Sequence, residues 1–224
     1  MLSTARQREI KVFPLSYERV GAIAGTLETV RYSGYTAFWM SFPTEIAGFV
    51  FLRKDTPSPY QPSPLLKNKS KGYKMHVSIC DPSDDNSNLM QAWDIFVRNL
   101  IRHEVYQVKI VSPSFRDNLR RDSEQRGKEI TIYSFKEIRP PEAWQAFCED
   151  VTRDFIENRI VAGVLPLDDT SIQGSSYFSY RNDSSADLPD PFASINLASI
   201  RGQPLRVLIE GEVDGERPMG SHSL

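Results

Sequence analysis

The stretch that most restricts the fold is Tyr73-Lys74-Met75-His76-Val77-Ser78-Ile79, in which apolar Tyr73, Met75, Val77 and Ile79 alternate with polar Lys74, His76 and Ser78. Strict alternation is the signature of a β-strand with one packed and one wet face. It belongs in an antiparallel sheet covered on one side rather than in a parallel sheet buried on both. Side chains two apart emerge on the same face, so Lys74 and His76 stand together, about 7 Å apart along the strand. A primary amine and an imidazole so placed can share one substrate. Taken alone, the stretch reads first as a half-exposed strand with an ordinary polar face.

Other stretches repeat the pattern. In Val105–Val111, Tyr106, Val108 and Ile110 oppose Gln107 and Lys109; in Glu129–Phe135, Ile130 and Ile132 oppose Thr131 and Tyr133. Ile46–Leu52 reads as a buried strand and Leu205–Glu210 as a final one. Between Arg53 and Tyr73 lies a Pro- and Lys-rich loop, a solvated connection or a lid near the Lys74/His76 strand. The spacing of Val20, Ile23, Leu27 and Val30 after Ser16 predicts a first helix. Leu89, Ala92, Trp93, Phe96, Val97, Leu100 and Ile101 predict a second, capped near Asn86 or Ser87. Pro140-Pro141 opens a third, with the stripe Trp144, Phe147, Cys148, Val151 and Phe155, ending near Gly163. Residues 165–190 read as loop around the compact string Tyr177–Asp183. The expectation is a single α+β domain, a mostly antiparallel twisted sheet flanked by helices. It spans 16–212, between a flexible N-terminal segment 1–15, a possible docking or secretion region, and a flexible tail 213–224.

Composition bounds the function classes. Twenty-seven basic against 29 acidic residues give a net charge of −2, which argues against nucleic acid or an anionic membrane as partner. No apolar run is long enough for a spanning helix, and Met1–Arg6 lacks the apolar core of a secretory signal. Two cysteines and three histidines offer no metal-ligand spacing, so metal-free chemistry without a cofactor is expected.

If the polar faces of the alternating strands converge, they gather Lys74, His76, Lys109 and Tyr133, joined by arginines ahead of Gly127 and by Arg181. Such a cluster suits an anionic ligand. A lysine crowded by cations and partly desolvated titrates low and becomes a candidate base, His76 a candidate acid for a leaving oxygen, and the arginines a phosphate clamp. Base, acid and clamp without a nucleophile describe elimination rather than hydrolysis.

Five strings carry a family resemblance: Lys74–Ile79; Val108-Lys109-Ile110; Gly127–Tyr133; Asp169 with Ser179-Tyr180-Arg181-Asn182, twelve residues from Asp169 to Arg181; and Leu205–Glu210. In order and rough spacing, from about Phe51 to Glu210, they resemble the phosphothreonine lyases. These are bacterial type III secreted effectors that inactivate host mitogen-activated protein kinases. The resemblance implies metal-independent β-elimination at the phosphothreonine of a pThr-x-pTyr activation loop, by a monomer delivered to the host cytosol without a classical signal peptide. It implies Lys109 as the base and His76 as the acid. Lys74 would stabilise the enolate-like intermediate, with Tyr133 in support. Arg181 would bind phosphate, Asp169 organise the site, and Phe51 contact substrate. Arg126 and Arg121 compete for a second phosphate-binding arginine, and a further family arginine is replaced by Leu188. Two other readings stand beside this one. The first is a catalytically inactive phosphopeptide-binding effector. The second is an effector such as an ADP-ribosyltransferase, for which the chain offers no G-x-G-x-x-G and no obvious catalytic glutamate.

Overall fold

The computed structural model describes residues 15–24, 29–39, 48–56, 60, 72–80, 87–121, 125–184 and 189–204. Among them, eight strands form one open sheet in the order β1-β2-β3-β5-β6-β4-β8-β7, every pair antiparallel. The strands are β1 (Thr29–Tyr32), β2 (Tyr35–Trp39), β3 (Phe49–Lys54), β4 (Tyr73–Val77), β5 (Gln107–Val111), β6 (Ile130–Ile132), β7 (Thr170–Ser171) and β8 (Phe178–Asn182). The helices are α1 (Tyr17–Ile23), α2 (Ser87–Arg102), α3 (Arg116–Arg121) and α4 (Pro141–Glu157). This is the single α+β domain expected. Among the described residues no helix is long and apolar enough to cross a membrane.

The apolar residues of the alternating strands pack with the stripes of α2 and α4. Val108, Ile110, Ile130, Ile132, Met75, Val77 and Phe178 are all buried. Phe147 of α4 meets Phe178 of β8 edge-on at 6.4 Å and Phe96 of α2 at 5.8 Å, tying both helices to the sheet. Burying one such ring contributes on the order of 2–3 kcal/mol. Cys148, fully buried 3.8 Å from the Met75 sulfur, serves that packing. With one face occupied by helices, the polar residues of the same strands are left together on the other.

Several element boundaries move. The first helix ends at Ile23, and Val30 lies on β1, not on its apolar stripe. Ser33 and Gly34, at φ 48° and 79°, turn β1 into β2, a two-residue hairpin loop that matches the twist of its strands. The third predicted helix stops at Glu157, well short of Gly163, because Arg159 enters the left-handed region at φ 58° and the chain returns along β4. There Cys80 N–H donates to the Val161 carbonyl at 3.1 Å and Gly163 N–H to that of Ser78 at 2.9 Å. Gly163 is fixed by this approach, since a Cβ would sit 2.9 Å from the Ile79 backbone. The Glu129–Phe135 strand shortens to three residues, Ser134–Lys136 being a 3-10 turn. The string 178–182 inside the expected loop is a strand, β8, laid against β4. The tail 213–224, the final strand 205–210, Leu188 and most of the Pro/Lys loop fall outside the described residues.

Candidate active site

Strand register assembles the site. Cross-strand partners share a face, and the pairings Phe51↔Lys109, Lys109↔Thr131, His76↔Thr131 and His76↔Ser179 set Phe51, Lys109, Thr131, His76 and Ser179 in one row across β3, β5, β6, β4 and β8. One step along, Lys74 pairs with Arg181. The neighbouring Tyr133 extends the same face, its N–H donating to the Gln107 carbonyl at 3.0 Å. Of the nine residues singled out from sequence, Lys109, His76, Lys74, Tyr133, Arg181, Asp169 and Phe51 thus come together. Arg121 ends α3 with an exposed side chain and Arg126 is half-buried in the turn before Gly127. Neither makes a hydrogen bond or ion pair to this cluster among the described residues.

His76 is held from the β8 side of its strand. Its Nδ1 lies 2.6 Å from Asp169 Oδ2, and the two side chains are 2% and 0% exposed. The Ser179 hydroxyl donates to the same oxygen at 2.7 Å. Asp169, 93 residues away in sequence, arrives because β7 follows it directly and pairs with β8 through Ser171↔Ser179. With Nδ1–H donating to a carboxylate, the ring presents Nε2 to the site. Burial is the dominant influence and lowers the His76 pKa, with the Asp169 hydrogen bond and charge opposing it and Lys128 and Arg181 adding to it. In the unliganded site His76 therefore favours the neutral form.

Lys109 is the other singular group. Its ammonium lies 3.9 Å from the centroid of the Phe49 ring, and among the described residues it has no carboxylate partner. Desolvation, then the cations Lys74, Lys128 and Arg181, bring its pKa down to about 7, against a small opposing effect of Asp183. Lys109 and His76 stand two strand spacings apart, roughly 9.5 Å, with the small Thr131 between them. The Thr131 hydroxyl is buried and without a hydrogen-bond partner among the described residues.

Lys74 and Arg181 share one carboxylate. Lys74 Nζ contacts Asp183 Oδ2, and Arg181 Nε is 2.7 Å from Oδ1. The Tyr133 ring stacks on Phe51 at 6.0 Å, Phe51 stacks on Phe38 at 5.7 Å, and Lys74 stands 5.7 Å from the Tyr133 centroid. Burial, then Asp183, pushes the Tyr133 phenol well above its ordinary pKa, so it acts here as a neutral hydroxyl.

Four participants were passed over in the sequence: Lys128, Thr131, Ser179 and Asp183. Lys128 is buried and its charge is felt by both Lys109 and His76. Thr131 lay in plain view on the polar side of its strand, but a threonine on a strand carries no distinguishing signal. Ser179 and Asp183 were in the string around Arg181, where the alternation 179, 181, 183 was the available clue. Among the described residues, no three or more His, Cys, Asp or Glu side chains are grouped so as to hold a metal ion.

No family model matches this chain, and no curated protein matches it in sequence. Solved structures do. The type III effector and phosphothreonine lyase OspF from Shigella flexneri superposes with a TM-score of 0.55 at 18% identity, over 80% of this chain and 84% of that one. The chain has the fold of the phosphothreonine lyase effectors. SpvC, the phosphothreonine lyase effector from Salmonella, gives 0.54 at 18% identity over 81% of each chain. The Chromobacterium violaceum VirA effector gives 0.53 at 15% identity, over 80% and 78%. The resemblance read from short strings is met at the level of the whole fold, at identities where sequence matching is silent.

Proposed function

We propose that this chain is a phosphothreonine lyase that eliminates phosphate from a phosphothreonine side chain, with Lys109 as base and His76 as acid. One observation carries the reading: an amine without a carboxylate partner among the described residues and an imidazole buttressed by Asp169 share one row of the sheet, separated by a single small residue. A phosphothreonine spanning that gap presents its Cα–H to Lys109 and its phosphate to His76. Neutral Lys109 takes the Cα proton and the electron pair forms the Cα=Cβ bond. The Cβ–O bond breaks, and phosphate departs with the bonding pair of that C–O bond and takes a proton from His76 Nε2. The products are a dehydrobutyrine residue and inorganic phosphate.

Each group is suited to its step. A pKa near 7 puts Lys109 close to the optimum for a base at neutral pH. His76 needs its second proton only when phosphate is present, and a phosphate dianion beside Nε2 supplies the charge that offsets burial, as Asp169 does from the other side. Lys74 faces the carbonyl side of the scissile residue, where negative charge grows in the enolate-like intermediate, and the Tyr133 hydroxyl adds a donor. Arg181 contributes a guanidinium to the phosphate; of the two candidate partners, Arg126 is half-buried and Arg121 exposed, which favours Arg126. The aromatic row Phe38–Phe51–Tyr133 gives the peptide a flat apolar bed.

The fold likeness to type III effectors supports delivery into a host cell, and the sequence resemblance supports a host mitogen-activated protein kinase activation loop bearing pThr-x-pTyr as substrate. The test is mass spectrometry of a doubly phosphorylated activation-loop peptide. The wild-type chain removes the mass of phosphoric acid from phosphothreonine, and Lys109→Ala and His76→Ala each abolish the loss. A peptide left intact by wild-type protein refutes the reading, and binding without mass loss replaces it with a phosphopeptide-binding effector.

A further inference from the structure

Two lysines, Lys74 and Lys109, stand on the site face, and among the described residues Lys74 is the one paired with a carboxylate. Asp183 follows β8 immediately, and its N–H donates to the Gly72 carbonyl at 3.2 Å, anchoring it to the start of β4 beside Lys74. From there its two oxygens engage two different cations, Oδ2 with Lys74 and Oδ1 with Arg181, 2.7 Å from Nε. Lys109 lies over Phe49 instead, 3.9 Å from the ring centroid. We propose that Asp183 is a positioning residue that assigns the lysines their roles, binding Lys74 and Arg181 as paired cations and leaving Lys109 as the free amine.

The roles themselves rest on the lyase reading, but the sorting of charge does not. Lys109 is faced by Lys74 from β4, Lys128 ahead of β6, and Arg181 and Asp183 from β8 and its end, with the neutral Tyr133 stacked on its cross-strand partner Phe51. Its own strand supplies the uncharged Gln107, and β3 supplies Phe49 and Phe51, with Arg53 one step along. Among the described residues, Asp183 is the carboxylate whose charge acts on Lys109. Its negative charge moderates three cations, and its contacts fix where two of them sit. Removing it leaves Lys109 to face those cations uncompensated.

The experiment follows amine reactivity rather than catalysis. Folded wild-type protein and variants receive brief pulses of an acetylating reagent at a series of pH values, and labelling of Lys109 and Lys74 is quantified by peptide mass spectrometry. In wild-type protein the labelling of Lys109 rises through a midpoint near 7. In Asp183→Asn that limb moves to lower pH, so that labelling below the wild-type midpoint rises by about threefold to tenfold. Asp183→Glu restores the wild-type profile. Lys74→Gln moves the limb the opposite way, since it removes a cation and releases Asp183 toward Lys109, and it keeps the test open should Asp183→Asn not fold. Coincident Lys109 profiles in wild-type, Asp183→Asn and Lys74→Gln proteins overturn the proposal. Failure of the lyase reading shows separately, as an intact phosphopeptide under wild-type protein.

Discussion

An amine held near neutrality on a sheet face has to cost the protein stability, and Lys109→Met makes that cost measurable. The lysine falls from 10.5 to about 7 on folding, and 3.5 units at about 1.36 kcal/mol each set a ceiling near 5 kcal/mol. Lys109 is only half-buried, so solvent screening removes a large part of this. Methionine keeps the linear stem and gives up the contact with Phe49, worth about 0.5–1 kcal/mol. A net stabilisation of about 1–3 kcal/mol remains, a rise in Tm of roughly 3–8 °C for a chain of this size. The pH dependence carries the sign. Between about 7 and 10.5 the unfolded lysine binds a proton that the folded one does not, so wild-type stability rises with pH across that window. The burial cost is thus complete below 7 and fades towards 10.5, and the advantage of the variant is largest at acid pH and closes on the alkaline side. Thermal and urea denaturation of both proteins at pH values on either side of that window measure it. A Lys109→Met protein less stable than wild type on the acid side, or an advantage that does not change with pH, refutes the account of Lys109 as a desolvated, cation-crowded amine.

Two further substitutions probe the supports of the site. Asp169→Asn keeps the shape but replaces the carboxylate that fixes the His76 tautomer and holds its second proton. On the proposed lyase reading, the rate of phosphate elimination falls at least about tenfold in a single-turnover assay, and unchanged turnover would refute a supporting role for Asp169 in catalysis. Gly127→Ala places a Cβ 2.2 Å from the Val164 carbonyl at a residue with φ 80° and disturbs the backbone oxygen to which Ser78 donates at 2.6 Å. Denaturation should show a loss of about 2 kcal/mol or more, with Lys128 displaced, and a neutral effect would mean the turn relaxes freely.

Lys74, His76, Lys109, Thr131 and Tyr133 were legible as polar members of alternating strands because period two is a property of the backbone itself. The alternation also fixed the sheet's two-faced character, and the stripes of α2 and α4 followed from a period of 3.6 residues. It did not reveal strand order. That β6 lies between β5 and β4, so that Thr131 separates Lys109 from His76, depends on pairings across tens of residues, which only the packed sheet decides. The His76–Asp169 contact likewise exists because a two-residue strand, too short to carry a pattern, docks on β8. The sequence could say that two lysines share a face. Which of them meets a carboxylate, and which is left over an aromatic ring among cations, is settled by where Asp183 emerges from β8, and that long-range electrostatic choice separates one lysine from the other.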